Sequence, residues 1–351
     1  MPLCPILNRM DTNPENGELG LLRSIRHRAN QFQGRGGVRL GIGDDCALLR
    51  PRPGEELAVT TDLSLAGRHF RLDWHPAEAV GHRTLARGLS DLAAMGARPV
   101  AAFLSLGVPR DLTLAGAGSP SWVDRFLNGF FDLANACKTP LAGGDLAESP
   151  LALADIVLVG AVPRGRALLR SRARPGDLLY VTGSLGGAAA GLALLAQNGE
   201  KPGRAAPPMN ARNEFPELLR PHFYPQPRIA QGEWLRRRRL ATAALDVSDG
   251  LSTDLAHLCQ ESGVTAVVEA DWLPRAEAAS LAQALHGGED YEILFTARPN
   301  ARIPGLISGV AVTRIGRIED HAPGKPLVSL ATGCTIEPLP AQGWEHFSHE
   351  G

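Results

Sequence analysis

The chain has 351 residues, of which 44% are apolar, and its 36 basic and 37 acidic side chains leave a formal net charge of −1. That length suits two domains, at roughly 100–200 residues each. So apolar a composition excludes a disordered chain, and so neutral a charge gives no footing for binding a polyanion. Lysine occurs only at Lys138, Lys201 and Lys325, none of which closes a Gly-rich turn, so Walker-loop nucleotide enzymes are excluded as well.

The first apolar stretch is interrupted by Arg9, Asp11 and Glu15, unlike the core of a signal peptide. Residues 1–36 read as a polar lead-in with one short helix near 19–28. A strand is expected at 57–61. Pro76 then opens a helix to Met95, with Leu85, Leu89 and Leu92 as its buried stripe. A β-type run at 100–108, a helix at 122–136 and a strand at 151–162 follow. Even that last greasy run contains Asp155, and no segment reaches the ~18–20 apolar residues of a membrane helix.

The Arg-, Pro- and Gly-rich stretch 163–176 reads as a junction. It divides the chain into a lead-in (1–36), an N-terminal unit (37–163) and a C-terminal unit (164–351). Beyond it, a strand at 178–182, the turn Gly183–Gly187 and an Ala/Leu helix form a strand–turn–helix unit, whose turn is a weak candidate for phosphate. Residues 198–216 read as a loop. A strand at 243–247, a helix at 251–261 and a strand at 291–296 complete the series, and the alternation predicts a mixed α/β (α+β type) fold. Arg236–Arg239 reads as a solvated helix face; nucleic acid is not expected as a partner. The cysteines Cys4, Cys46, Cys137, Cys259 and Cys334 are scattered without a CxxC pair, which suits a reducing cytoplasm rather than a zinc site or disulfide frame.

The informative feature is where the acids lie. Six segments rich in Gly, Ser, Thr and small apolar residues carry eleven acids and one base, Arg68. They are GIGDDCALL (Asp44, Asp45), TTDLSLAGRHF (Asp62), GLSDLAAMGA (Asp91), GGD (Asp145), LDVSDGLSTD (Asp246, Asp249, Asp254) and GGEDYEILFT (Glu289, Asp290, Glu292). Singly, each acid is accounted for as a turn former or helix cap. Together in space they would repel, by roughly 4 kcal/mol for two charges 4 Å apart at an effective dielectric near 20. Protons or cations must then neutralise them. Hard oxygen ligands on small-residue turns suit Mg²⁺ shared with substrate phosphates, and metal-assisted phosphoryl transfer follows.

In this order the segments resemble the thiamine-monophosphate kinases, of the superfamily that includes aminoimidazole ribonucleotide synthetase. The likeness runs from about residue 40 to 296 and returns at 344–347; LSDLAAMGA with GGEDYE is its most specific part. The resemblance implies two α/β domains, the N-terminal one binding ATP and Mg²⁺ and forming a β-barrel across a homodimer. It implies direct in-line transfer of the ATP γ-phosphate to thiamine monophosphate in the cytoplasm, without a phosphoenzyme or a catalytic base. By motif position, Asp45, Thr60, Thr61, Asp62, Asp91, Asp145, Asp246 and Asp249 would hold several Mg²⁺ ions. Gly144, Asp145, Arg170 and Ser248 would contact ATP, and His69, Glu289 and Trp344 the thiamine phosphate. Four positions depart from the family pattern: Leu146 replaces a threonine, Arg83 a lysine, Gly88 an asparagine, and Arg68 a small or neutral residue.

Rival readings make different expectations. A selenophosphate synthetase would carry a reactive Cys or selenocysteine and a Lys near residues 33–38, and a hydrogenase maturation factor would end in Cys. Aminoimidazole ribonucleotide synthetase would lack the LSDLAAMGA and GGEDYE pair. A non-catalytic thiamine-phosphate or nucleotide binder of the same fold would bind ligand and release no ADP.

Overall fold

The computed structural model describes residues 18–30, 37–116, 118–199 and 217–347. The rest of the lead-in, with its interrupted apolar stretch, and positions 200–216 of the expected loop lie outside the described residues. No helix among the described residues is long and apolar enough to cross a membrane.

The first half runs α1 (Glu18–Asn30), β1 (Val38–Leu40), β2 (Leu48–Leu49), β3 (Glu55–Leu65), α2 (Ala77–Ala94), β4 (Arg98–Val108), α3 (Trp122–Ala136), β5 (Leu141–Glu148) and β6 (Leu153–Pro163). Its main sheet has the order β3-β6-β4-β5, and only the β4–β5 pair is parallel. Period-two burial along β6 sends Ala154, Ile156 and Leu158 into the core, where they meet Leu85, Leu89 and Leu92 of α2 and Phe126 and Phe130 of α3. Helix α3 starts at a capping box: Ser121 Oγ accepts from the Asp124 N–H, and the Asp124 carboxylate accepts from the Ser121 N–H.

The sequence reading has no strand at β5, because two consecutive glycines signal a turn. In the fold Gly143, Gly144 and Asp145 are strand residues. A Cβ on Gly144, whose φ is +150°, would sit 1.8 Å from the Leu104 carbonyl oxygen, so glycine is what lets β5 close on β4.

The second half runs β7 (Leu178–Thr182), α4 (Gly187–Gly199), α5 (Arg220–Phe223), α6 (Ile229–Arg238), β8 (Ala241–Val247), α7 (Leu251–Ser262), β9 (Val264–Glu269), α8 (Leu281–His286), β10 (Glu292–Ala297), β11 (Leu306–Ile307), β12 (Val310–Asp320), β13 (Val328–Thr332) and β14 (Thr335–Pro338). The order is β14-β13-β9-β12-β7-β10-β8, with β11 on β12, and only β13–β9 is parallel. Strand β10 is buried at every position between β7 and β8, which is why its middle, Ile293 to Phe295, is apolar and its buried polar residues Glu292 and Thr296 are hydrogen-bonded. The architecture is therefore mixed α/β with two sheets. Helix α2 packs on β3, β6 and α3 of its own half and on α6, β8 and β10 of the other. It is buried on nearly every side, as a helix between two layers must be.

Two local expectations change. The Arg236–Arg239 run is solvated only in part, because Arg236 Nε donates to the Gly96 carbonyl at 2.7 Å and ties α6 to the turn after α2. The turn before α4 is filled by the protein's own anion: the Asp290 carboxylate accepts from the N–H groups of Gly186 and Ala188 at 2.6 and 3.3 Å.

Candidate active site

On β3 the apolar Leu57, Val59 and Leu63 point outward and are exposed, so the intervening Thr60, Asp62 and Ser64 turn toward α2. On α2, Arg83, Arg87 and Asp91 recur at every fourth residue and share one face. The two stripes meet. The Thr60 hydroxyl donates to the Asp91 carboxylate, and Arg87 lies 3.4 Å from Asp62.

From the second half, Asp246 near the end of β8 accepts from the Ser90 hydroxyl of α2 at 2.6 Å. The turn after β8 carries Ser248 and Asp249, and Asp254 fixes its shape. One Asp254 carboxylate oxygen accepts from the N–H groups of Ser248, Asp249 and Gly250, each at 3.0 Å. Asp62, Asp91, Asp246, Asp249 and Glu289 thereby line one cleft of about 700 Å³ between the halves, a size typical of small-molecule sites.

Burial is the main force on these carboxyls. It pushes Asp62 up to about 6, with Arg87 opposing and Asp91 adding, and Asp246 up to about 7, with repulsion from Asp91 adding. Asp91 and Asp249 move in the same direction for the same first reason. Acids in this state are what a divalent cation would relieve. Among the described residues no three His, Cys, Asp or Glu side chains make a closed cage for one ion. Such an open set fits Mg²⁺, which takes one or two carboxylates and completes its octahedron with water and phosphate oxygens.

The same cleft is also lined by His69, Glu289 and Trp344. His69 Nδ1 accepts from the Leu65 N–H at 3.1 Å, which leaves Nε2–H as the donor, and burial lowers its pKa to about 4, with Arg87 and His346 adding. Glu289 and Tyr291 both adopt left-handed backbone (φ +68° and +52°), a costly conformation that the surroundings must impose. The Glu289 and Tyr291 N–H groups donate to the Ser248 and Val247 carbonyls at 2.7 and 2.8 Å, which holds that backbone. Arg83 fixes the Glu289 side chain: its Nη2 donates to Glu289 Oε1 at 2.5 Å, while Nη1 donates to the His222 carbonyl at 2.7 Å. The segment after β14 folds back onto the turn that carries Asp249. The Gly343 N–H donates to Thr253 Oγ1 and the Trp344 N–H to the Asp249 carbonyl, each at 2.9 Å, and the indole stays half-exposed.

The remaining expected residues stand apart. The Thr61 side chain lies on the outer face of β3 with Val59 and Leu63. Asp45, Gly144 and Asp145 are exposed and do not line the cleft. Arg170 is on a short 3₁₀ turn, close enough to Asp91, Asp246 and Asp249 to favour their charge. A second cavity of about 490 Å³ opens beyond Asp145, lined by Leu106, Val108, Leu146 and Glu148 and by Leu21 and Ser24 of α1.

The departures acquire local reasons. Leu146 lacks a hydroxyl, but its N–H donates to Asp145 Oδ1 at 2.9 Å. A Cβ on Gly88 would lie 2.8 Å from Leu158 Cδ1, so a larger residue would need that side chain to move. Arg68 lines the cleft. Sequence reasoning missed Arg87 and Ser90; the four-residue spacing of Arg83, Arg87 and Asp91 was the available signal for the first.

Residues 43–162 match the AIR synthase related protein, N-terminal domain, and residues 174–326 the AIR synthase related protein, C-terminal domain, so fold and cleft together are those of an AIR synthase related protein. The thiamine-monophosphate kinase of Salmonella typhimurium is 40% identical over 325 residues, covering 89% of this chain and 93% of that protein. The crystal structure of thiamine-monophosphate kinase from Stenotrophomonas maltophilia K279a superposes with a TM-score of 0.73 at 38% identity, over 90% of this chain and 96% of that one. AaThiL complexed with AMPPCP and TMP superposes with a TM-score of 0.69 at 29% identity, over 97% of this chain and all (100%) of that one. The chain belongs to the thiamine-monophosphate kinase family.

Proposed function

We propose that this protein transfers the γ-phosphate of ATP onto the phosphate of thiamine monophosphate, giving thiamine diphosphate and ADP. The observation that carries the reading is the convergence of Asp62, Asp91, Asp246 and Asp249 on one cleft that is also lined by His69, Glu289 and Trp344. It is supported by family membership and by AaThiL, whose complex holds AMPPCP and TMP.

Mg²⁺ held by Asp62, Asp91, Asp246 and Asp249, with Thr60 beside Asp91, would neutralise charge on the phosphates. The chain's own residues do the positioning. Arg170 and Ser248 face the nucleotide side, and the cavity beyond Gly144 and Asp145 takes its base. His69 donates through Nε2–H to the acceptor phosphate, Glu289 is fixed by Arg83, and Trp344 covers the thiamine rings. The acceptor phosphate is already ionised near neutral pH, so no group need remove a proton; catalysis rests on alignment and charge.

In this reading residues 37–163 bind ATP and Mg²⁺ and dimerise, and 164–351 complete the site. The exposed Leu57, Val59 and Leu63 on β3 support a homodimer closed into a barrel through this face. The test is thiamine diphosphate formation by purified protein with Mg²⁺, an EDTA control and an Asp91→Asn variant. Metal-dependent product, lost in the variant, is expected. Folded protein that binds ligand and releases no ADP would sink the kinase reading.

A further inference from the structure

Arg87 is the one cation of the α2 stripe whose bonding is incomplete. Its side chain is 17% exposed, so most of its hydration is gone. The replacements are poor: Asp62 Oδ1 at 3.4 Å and Ser64 Oγ at 3.5 Å. Two other partly buried guanidiniums near the second sheet are better satisfied. Arg83 reaches Glu289 at 2.5 Å, and Arg228 is bidentate to Glu292 at 2.6 and 2.5 Å. A guanidinium has five N–H donors in a planar fork, and burying it with only stretched contacts is costly unless a further oxyanion completes them.

Its position says which oxyanion. Two arginines stand near the acids, Arg87 and Arg170. Both act on Asp91 and Asp249, but Arg170 also acts on Asp246, whereas Arg87 also acts on Asp62 and His69 and has Glu289 and Tyr291 among its neighbours. Arg87 lines the cleft itself. We propose that Arg87 is a substrate-binding residue that clamps the acceptor phosphate, its fork taking two oxygens of the monophosphate that will receive the γ-phosphoryl group. This rests on the function proposed above. It assigns the chain a fixed cation on the acceptor side, where Lys could match the charge but not the paired geometry.

The test is calorimetric binding of thiamine monophosphate and of unphosphorylated thiamine to wild type, Arg87→Gln and Arg87→Lys, alongside steady-state kinetics. Arg87→Gln should weaken thiamine monophosphate about 10- to 100-fold, as expected for a lost charge-assisted pair, and leave thiamine within about twofold. KM for thiamine monophosphate should rise while KM for ATP holds, with Arg87→Lys in between. If Arg87→Gln does not fold, Arg87→Lys carries the same comparison. Unchanged discrimination between the two ligands overturns the proposal. So does a changed Mg²⁺ requirement with intact thiamine monophosphate affinity, which would make Arg87 only the counter-ion of Asp62. Wild-type protein that neither binds thiamine monophosphate nor forms thiamine diphosphate would instead refute the functional reading, and this role with it.

Discussion

Replacing Asp246 by Asn should abolish thiamine diphosphate formation yet stabilise the metal-free fold. Asp246 is 3% exposed, and burial, then repulsion from Asp91, moves its carboxyl from 3.8 to about 7. At 1.36 kcal/mol per tenfold change in proton affinity, holding it ionised above pH 7 costs the fold about 4 kcal/mol. Part of that strain is relieved when Asp91 takes the proton instead, so about 2 kcal/mol is the gain expected from the substitution. Asn keeps an acceptor for the Ser90 hydroxyl, which now sits 2.6 Å from the carboxylate. Because the folded state binds this proton more tightly than the unfolded chain does, the associated stability is fully present below pH 3.8 and is lost as pH rises through about 7. Urea unfolding in EDTA should therefore show wild type weakening across that window and the variant weakening less. Mg²⁺ with a non-hydrolysable nucleotide should reverse the ranking, since only a protein that binds them gains stability by mass action. An Asn variant less stable than wild type at pH 8.5 in EDTA, or parallel pH slopes for the two, would refute the reasoning.

Three further outcomes are expected. Arg83→Met leaves Glu289 and the His222 carbonyl without their donor and should cost about 2–4 kcal/mol in urea unfolding while raising KM for thiamine monophosphate. A double-mutant cycle with Glu289→Gln that shows no coupling would count against the link. Asp254→Ala leaves three N–H groups of the Ser248–Gly250 turn unpaired and should weaken nucleotide binding in calorimetry as well as stability, by about 2–4 kcal/mol for the latter. Gly81→Ala puts a Cβ 1.9 Å from the Phe126 carbonyl oxygen, so α2 and α3 must part; a loss of about 2–3 kcal/mol or more is expected, and an unchanged melting temperature would contradict it.

Much of this was legible where the chain obeys one periodicity at a time. The leucine stripe of α2 and the buried run of β10 follow from spacing alone, and the acid-bearing motifs from their density. What failed to show had a common cause: a local signal overruled by a distant partner. Gly143-Gly144 spells a turn until the Leu104 carbonyl is known to need the space. Arg236 spells a solvated face until Gly96 accepts its N–H. Arg87 is invisible for the same reason, since a cation on a helix gains meaning only from the carboxylate of Asp62 across on β3. The left-handed backbone of Glu289 likewise has no sequence signature, because it is held by the Ser248 carbonyl on a distant turn, while its carboxylate answers to Arg83, more than two hundred positions away.

Helix α2 belongs by chain order to the first sheet, yet Arg83, Ser90 and Asp91 answer to Glu289 and Asp246 in the second. The unit of inheritance for this site is thus not either half of the gene. A hybrid that joins relatives at the junction near residue 164 would pair one parent's helix with the other parent's acids. A hybrid that carries residues 77–94 together with the second half keeps those pairs but parts Arg87 and Asp91 from Asp62 and Thr60 on β3. Recombination among such genes should therefore be tolerated at the junction only between parents alike along this one helix.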